Sequence, residues 1–144
     1  MGEASILKPV EIIAEIANAH QGDPAIAARL AEEALAGGAD AVKFQVYTAD
    51  ELLVRRHPRY EHFRKQSFTG AAWSDLIGRI RAKGGRVYCD VFGLEALDIS
   101  LREGADGIKV HSSDLANAPL LEILSTAGKR VFLSVGGSTA REIV

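Results

Sequence analysis

Two lysines lie inside short apolar segments, where an uncompensated charge is costly. Lys43 belongs to AVKFQVY (residues 41–47), and Lys109 belongs to GIKV (residues 107–110). Alternate residues of a strand point to opposite faces of the sheet. Both lysines are therefore expected on the face opposite to their apolar neighbours. A buried lysine normally has a partner. We therefore predict that both ammonium groups face one enclosed space in which an anion binds.

Hydroxyl groups follow the Lys109 segment and the last apolar segment. Ser112 comes shortly after Lys109, and Ser134 begins the turn SVGGST (134–139), which leads into a helical pattern. Hydroxyls, ammonium groups and a helix N-terminus together bind phosphate or carboxylate. These residues indicate a phosphorylated small acid as the ligand. The alternative is that Glu15 pairs with one lysine as an internal ion pair, which leaves the second lysine unexplained.

Composition limits the classes of function. The chain has 144 residues, of which 47% are hydrophobic and 25% charged, as expected for a single domain over residues 1–144. The net charge of -2 and the pI near 6.1 argue against the broad positive field of nucleic-acid or membrane-surface binding. With no signal-peptide pattern and no apolar run near the ~18 residues of a membrane span, we expect a soluble, cytoplasmic protein. Cys89, the only cysteine, is expected in the core.

Five segments rich in β-branched residues alternate with five helical patterns. The predicted strands are 11–17, 41–47, 86–93, 107–113 and 130–135. The predicted helices are 24–38, 73–85, 94–104, 119–128 and 139–144, with residues 48–72 as a polar loop. Within this loop, the charges of residues 55–66 predict a solvated segment. Trp73 is expected to pack in the core, and His20, after the first strand, is expected to hydrogen-bond locally. Capping residues mark the helix starts: Asp23, Asn117, and Thr139 with Glu142. Glycines expected in left-handed C-caps mark the helix ends: Gly38, Gly84, Gly104 and Gly128.

An internal repeat favours a barrel over an open sheet. GADAVK (38–43) recurs as GADGIK (104–109), so a helix end, a turn and a strand with a central lysine return together. Right-handed crossovers make the strands parallel. A (β/α)8 barrel typically needs about 250 residues. The predicted fold class is therefore α/β, a parallel TIM-type barrel of which about five of the eight β/α units are present.

In such a barrel, alternate strand residues point inward and the ligand site lies at the C-terminal ends of the strands. The residues predicted to face the interior are mostly polar or ionisable: Glu15, Lys43, Gln45, Tyr88, Asp90, Lys109, His111 and Ser134.

Several segments resemble one family in the same order along the chain, from about residue 11 to residue 144. They are IIAEIANAHQGD (12–23), GADAVKFQVY (38–47), FGLEALD (92–98), IKVHSSDLANAPLL (108–121) and VFLSVGGST (131–139). This set is similar to the N-terminal part of the sialic acid (N-acetylneuraminate) synthase family. The resemblance implies a TIM barrel that condenses phosphoenolpyruvate with the open-chain aldehyde of an N-acetylated amino sugar, giving a nonulosonic acid.

The resemblance also implies roles for individual residues. Four would bind the phosphate and carboxylate of phosphoenolpyruvate: Lys43, Lys109, Ser112 and Ser134. Three would be catalytic, with two orienting the reacting groups and the last contacting the sugar or a proton in transit: Glu15, Gln45 and Asp114. Fixed cations and a carboxylate suit this chemistry, because negative charge grows on the aldehyde oxygen while positive charge grows on the former enol carbon.

The resemblance further implies a divalent metal, Mn or Mg, whose histidine ligands come from the second half of the barrel. We therefore predict no metal ligand in this chain. Several positions depart from the family pattern, among them Asp90, His111 and Gly137, which stands where relatives have a methionine. Asp90 stands where many relatives have a phosphate-binding threonine, and a carboxylate there repels phosphate unless it is protonated or paired with Lys43 or Lys109. His111 replaces a small residue.

Two other functions are compatible with the same residues. A Schiff-base aldolase would use Lys109 as an amine nucleophile. A non-catalytic half-barrel module would persist only by pairing with another chain. In every case two strand edges are left without a neighbour, so we expect a homo-oligomer or association with the missing half of the barrel.

Overall fold

The computed structural model describes residues 10–143. Five strands form one sheet in the order β1-β2-β3-β4-β5, and every neighbouring pair is parallel. The strands are β1 (Ile13–Ala17), β2 (Ala41–Tyr47), β3 (Arg86–Phe92), β4 (Gly107–Val110) and β5 (Arg130–Leu133). The helices are α1 (Pro24–Ala36), α2 (Ala49–Leu52), α3 (Tyr60–Gln66), α4 (Gly70–Ala82), α5 (Leu94–Arg102), α6 (Ala118–Thr126) and α7 (Ala140–Ile143). A 3-10 turn, Ser112–Asp114, follows β4. The alternation confirms the predicted α/β class.

The segment between β2 and α4 differs from the prediction of a polar loop, because it contains α2 and α3. The Thr48 side chain caps α2, and the Tyr60 hydroxyl donates a hydrogen bond to Asp50 at 3.0 Å. Phe63 packs edge-on against Tyr47 with ring centroids 5.5 Å apart. Two aromatic residues thus anchor a segment whose charged residues had indicated a solvated loop. Helix α4 also begins at Gly70 rather than at residue 73, because Thr69 provides its N-cap.

The outer face of the strands forms the core with the helices. Val42, Phe44 and Val46 of β2 are at most 1% exposed. Trp73 of α4 lies against Phe44, with ring centroids 5.7 Å apart, and is itself 3% exposed, which confirms its predicted place in the core. Burial of a large apolar side chain contributes roughly 1.5–3 kcal/mol to stability. Cys89 is also buried, and this burial raises the pKa of its thiol to about 12.

Hydrogen bonds confirm the predicted N-caps of α1 and α6, and backbone angles agree with the predicted C-cap glycines. The Asp23 carboxylate accepts hydrogen bonds from the backbone of Ala25 and Ile26 at the start of α1, and Asn117 caps α6 through the backbone of Leu120. The four predicted C-cap glycines all have positive φ: Gly38, Gly84, Gly104 and Gly128.

The internal repeat performs the same structural task twice. Asp40 accepts a hydrogen bond from the backbone N–H of Ile12 at 2.8 Å, and Asp106 accepts one from the backbone N–H of Val87, also at 2.8 Å. Each aspartate therefore ties the start of its own strand to the start of the preceding neighbour in the sheet. This fixes the register of the strands that contain the two lysines.

The N-terminal ends of the strands are closed by one polar cluster. The Glu11 carboxylate pairs with Arg86 at 3.1 Å and with Arg130, and it accepts a hydrogen bond from the Tyr88 hydroxyl at 2.8 Å. Arg130 also donates to the Tyr88 oxygen at 3.0 Å. These four residues are called the Glu11 cluster below. They connect the chain before β1 to β3 and β5.

The two edges of the sheet have a different character from its centre. All four residues of β5 are exposed, whereas the residues of β2 and β3 are mostly buried. Large apolar side chains are exposed near both edges: Val10, Ile12, Val131, Phe132, Leu133 and Ile143. No helix within residues 10–143 is long and apolar enough to cross a membrane.

Candidate functional site

The inner face of the sheet brings the predicted interior residues into rows. Gln45, Asp90 and Lys109 are direct neighbours on β2, β3 and β4. One step closer to the N-terminal ends, Lys43 lies between Glu15 on β1 and Tyr88 on β3. Lys43 and Gln45 are partly buried while the residues between and beside them are fully buried. The alternation predicted from the sequence therefore places these polar groups together on the inner face.

Lys43 has a protein partner. Its Nζ lies 2.7 Å from Oε2 of Glu15, as the ion-pair interpretation of the sequence expected for one lysine. The lysine side chain is 17% exposed and the glutamate side chain 48% exposed. Because Glu15 is half in solvent, the pair contributes little to stability and its carboxylate can turn away at small cost.

Lys109 also has a protein partner. The interpretation in which only one of the two lysines forms an ion pair is therefore wrong. The Nζ of Lys109 lies 2.5 Å from Oδ2 of Asp90, whose side chain is only 4% exposed. Of the alternatives left open for Asp90 by the sequence, the structure shows an ion pair with Lys109. Two ammonium groups on the inner face are thus balanced by two carboxylates, Glu15 and Asp90. An anion is therefore not required to compensate their charge, and its binding has to compete with these pairs.

The two predicted hydroxyl ligands lie in neighbouring loops at the C-terminal ends of the strands. Ser112 begins the 3-10 turn after β4, and the backbone N–H of Ser134 extends the β4–β5 pairing by donating to Val110 at 3.0 Å. Gly136 brings the second loop close, since a Cβ at this glycine would lie 3.8 Å from Oγ of Ser112. A residue with a side chain at Gly137 would be strained, because its φ is +85°.

One donor at the helix N-terminus expected to cradle a phosphate is already used within the chain. Helix α7 has only four residues, and the backbone N–H and hydroxyl of Thr139 both donate to Glu142 at 2.8 Å. These bonds hold the pKa of Glu142 below its usual value. The predicted pairing of Thr139 with Glu142 is confirmed, and a ligand at this turn has to compete with Glu142 for the N–H of Thr139.

Asp114 belongs to a separate polar cluster. Its carboxylate accepts hydrogen bonds from Asn117 at 3.0 Å and from the Ser113 hydroxyl at 3.4 Å. It lines a cavity of about 420 Å³ at the C-terminal end of β3. The other residues that line the cavity come from the end of β3, from two helices and from the turns beside them: Glu51, Leu52, Phe92, Gly93, Leu94, Ser113 and Asn117. Asp114 therefore lies at the C-terminal end of the sheet, beside a cavity that neither Lys43 nor Lys109 lines.

His111 is positioned by local contacts. Its ring packs on Phe92 with centroids 5.0 Å apart, and its Nδ1 lies 3.0 Å from the Ser113 hydroxyl. The imidazole thus covers the turn between β4 and α6.

Sequence reasoning missed the role of Glu51. Its carboxylate accepts hydrogen bonds from the backbone N–H groups of Glu95 and Ala96, at 2.8 and 3.1 Å, and so caps α5 from helix α2. Gly93 makes this possible, because a Cβ there would clash with the carboxylate. The sequence signal that could have indicated this role is Gly93, which precedes Leu94 and has no side chain to cap α5.

His20 follows β1 and is 1% exposed. Its Nδ1 accepts a hydrogen bond from the backbone N–H of Gly22 at 3.0 Å, which confirms the predicted local role, and its ring lies 4.4 Å from that of Phe68. Burial lowers the pKa of the imidazole. Within residues 10–143, no three or more His, Cys, Asp and Glu side chains are grouped so that they could hold a metal ion.

Sequence comparisons agree on one family. The model of the NeuB family matches residues 30–144. An uncharacterized protein of Methanocaldococcus jannaschii is 33% identical over 94% of this chain and 40% of its own length. The N,N'-diacetyllegionaminic acid synthase of Campylobacter jejuni is 26% identical over 95% of this chain and 45% of its own length. The chain thus spans less than half the length of these relatives.

Solved structures give the same result for the fold. The N-acetylneuraminic acid (sialic acid) synthetase of Leptospira borgpetersenii, crystallised with citrate, superposes with a TM-score of 0.86 at 31% identity, covering 94% of this chain and 47% of that protein. A spore coat polysaccharide biosynthesis protein E from Chromobacterium violaceum has the same fold, with a TM-score of 0.80 at 23% identity. The five parallel β/α units therefore form a partial barrel, as predicted, and the chain belongs to the NeuB family of sialic acid synthase-like proteins.

Proposed function

We propose that this chain provides the N-terminal half of the barrel of a sugar-acid synthase. The whole enzyme would condense phosphoenolpyruvate and water with the aldehyde of an N-acetylated amino sugar to give a nonulosonic acid and inorganic phosphate. Family membership and the synthases among the relatives support this activity. The observation that supports particular residues is that Lys43 on β2 and Lys109 on β4 lie on the same inner face of the sheet, in adjacent rows.

The binding half of the proposal concerns four residues. Lys43 and Lys109 would bind the phosphate and carboxylate of phosphoenolpyruvate, assisted by the hydroxyls of Ser112 and Ser134. Ammonium groups suit phosphate as point charges that approach from several directions. The half-exposed Glu15 supports ligand access to Lys43, because its carboxylate can leave the lysine and move into solvent.

The catalytic half of the proposal assigns three more side chains. Attack of the enol carbon on the aldehyde places negative charge on the aldehyde oxygen and positive charge on the former enol carbon, so fixed cations and a nearby carboxylate each have a role. Glu15, once displaced from Lys43, and Gln45 would orient the reacting groups. Asp114 would contact the sugar or accept a proton from the side of the 420 Å³ cavity.

The divalent metal, Mn or Mg, belongs to the whole enzyme in this proposal. The described residues do not form a site that fits it, so we derive no step through the metal and place its ligands outside residues 10–143. When bound, such a metal would polarise the aldehyde as a Lewis acid.

The open edge of the sheet supports association with the remaining part of a barrel. Phe132 and Leu133 are 37% and 49% exposed on β5, and Ile143 is 51% exposed on the neighbouring helix. Exposed strand edges with apolar side chains favour pairing. We therefore propose that this edge contacts either the second half of the barrel or another copy of the chain.

Thermal unfolding with phosphoenolpyruvate tests the assignment. A ligand at roughly 100 times its Kd stabilises the native state by about 2.7 kcal/mol, which raises the Tm by several degrees. Lys43→Ala and Lys109→Ala should each abolish the shift. Lys83→Ala is the matched control, because its ammonium lies on the outside of the barrel, near Glu32. A shift that survives in both inner-face variants would refute the phosphate assignment.

Borohydride trapping separates this proposal from the aldolase. A Schiff-base lysine has to be present as the free amine. Lys109 instead lies in an ion pair with the buried carboxylate of Asp90. We therefore expect no mass increase on Lys109 after treatment with pyruvate and borohydride, and a trapped adduct at Lys109 would favour the aldolase.

A further inference from the structure

We propose that Asp90 is a specificity-determining residue that limits the negative charge the site accepts. By holding Lys109 as an internal counter-ion, Asp90 would disfavour a doubly charged phosphoryl group more than a singly charged carboxylate. This inference rests on the proposed anion site at Lys43 and Lys109. It concerns which anions bind there and how tightly.

The position of Asp90 makes it a strong competitor for Lys109. It lies in the middle of the inner face, between Gln45 on β2 and Lys109 on β4. Its carboxylate contacts the ammonium at 2.5 Å, and its side chain is 4% exposed. An incoming anion therefore meets a cation that is already neutralised, next to a fixed negative charge.

The two inner-face ion pairs respond differently to a ligand. Glu15 is 48% exposed, so its carboxylate can leave Lys43 and be hydrated by water instead. Asp90 has no such exchange, because separating a buried pair leaves a charge without compensation. Lys43 is thus the cation that an anion can recruit fully, whereas an anion at Lys109 has to share the ammonium with Asp90.

A second observation shows that Asp90 depends on Lys109. Its Oδ1 is buried, and none of the described residues donates a hydrogen bond to it. Buried carboxylate oxygens normally have donors. Lys109 is therefore the partner that keeps this carboxylate in place, so a ligand that withdrew Lys109 would leave both oxygens unpaired.

The electrostatic repulsion between Asp90 and a bound anion should increase with the negative charge of the anion. Coulomb energy is proportional to the product of the charges, so a phosphoryl group is penalised about twice as much as a carboxylate at the same distance. Phosphoenolpyruvate and pyruvate share a three-carbon acid skeleton and differ in the phosphoryl group. They form a suitable pair of probes.

The experiment is titration calorimetry of the chain with phosphoenolpyruvate and with pyruvate, well above the second phosphate pKa of about 6. Asp90→Asn removes one adjacent negative charge, so pyruvate should bind about threefold more tightly, and phosphoenolpyruvate, which carries a phosphoryl group as well as a carboxylate, should bind at least about tenfold more tightly. Asp90→Thr, which is smaller, provides a second variant if the first does not fold. Asp98→Asn is the matched control, because it changes the net charge equally but removes an exposed carboxylate that pairs with Arg102 on α5. Its affinities should equal those of the parent.

The outcomes separate the inference from the proposed function. If phosphoenolpyruvate binds the parent, Lys109→Ala weakens it, and the Asp90 variants bind it no more tightly, the role of Asp90 is overturned while the anion site stands. An equal gain for both probes also overturns the charge limit. If neither probe binds the parent or the Asp90 variants, the anion site and the inference both fail.

Discussion

The two ends of the sheet use charged residues in opposite ways. At the N-terminal ends of the strands, one carboxylate, Glu11, accepts from two guanidinium groups and a phenol, so the Glu11 cluster is closed. On the inner face beyond this cluster, which we call the open end, each carboxylate holds one ammonium group, and Asp90 keeps an oxygen without a donor among the described residues. Arginine forks fix geometry, whereas lysine provides a movable point charge. The first end stabilises the barrel, and the second is suited to exchange partners with a ligand.

The largest effect is expected from truncation of Tyr88, the centre of the closed end. Tyr88 is 2% exposed, packs on Phe132 with ring centroids 5.4 Å apart, and fills the space that a Cβ at Gly107 would need. Tyr88→Ala should lower the free energy of unfolding in urea by about 3–5 kcal/mol. Tyr88→Phe, which keeps the ring and loses the hydroxyl, should cost about 1–2 kcal/mol. Equal losses in the two variants would show that the hydrogen bonds, and not ring packing, dominate this end.

The closed end should also respond to acid. The hydrogen bond from Tyr88, together with Arg130 and Arg86, holds the pKa of Glu11 below 4.5. Because the folded state binds this proton more weakly than the unfolded state, the stabilisation is present above pH 4.5 and is lost as the pH falls through the folded pKa. Urea unfolding over this range should show a smaller decline for Glu11→Gln than for the parent. Parallel curves would mean that the cluster contributes no pH-dependent stability.

The fold was more accessible from the sequence than the site. Strand β2 was predicted with its observed bounds because Val42, Phe44 and Val46 alternate with polar residues, and the helix ends followed from glycines such as Gly38. Each of these signals is local. Side-chain partnerships are not local: Lys109 and Asp90 lie on different strands, and only the register shows that they meet. The capping of α5 by Glu51 was hidden for the same reason.

Two further differences show where local patterns mislead. The charges of residues 55–66 predicted a solvated loop, but Tyr60 and Phe63 anchor α3. The turn before α7 resembled an anion cradle, but Glu142 already occupies its first N–H. In both cases one contact, made within or close to the segment, outweighed the composition of the segment around it.

A smaller acid response is expected at the open end, through His20. Burial lowers the pKa of this imidazole below 6.5, so the unfolded state takes up a proton before the folded state does. The corresponding stability is present above pH 6.5 and is lost as the pH falls towards the folded pKa. In His20→Gln, the unfolding free energy should change less between neutral and mildly acidic pH. A decline identical to that of the parent would place the acid sensitivity elsewhere.

The smallest expected effect tests whether the ion pair between Glu15 and Lys43 can be exchanged for a ligand. Glu15 and Lys43 form a 2.7 Å ion pair, but the 48% exposure of Glu15 should limit their coupling energy to less than about 1 kcal/mol. A double-mutant cycle with Glu15→Gln and Lys43→Gln, followed by urea unfolding, measures this coupling. The same cycle with Asp90→Asn and Lys109→Gln should give a larger value, since Asp90 is buried. If the two couplings were equal, the lysines would be equivalent, and Lys43 could no longer be distinguished as the cation that a ligand recruits.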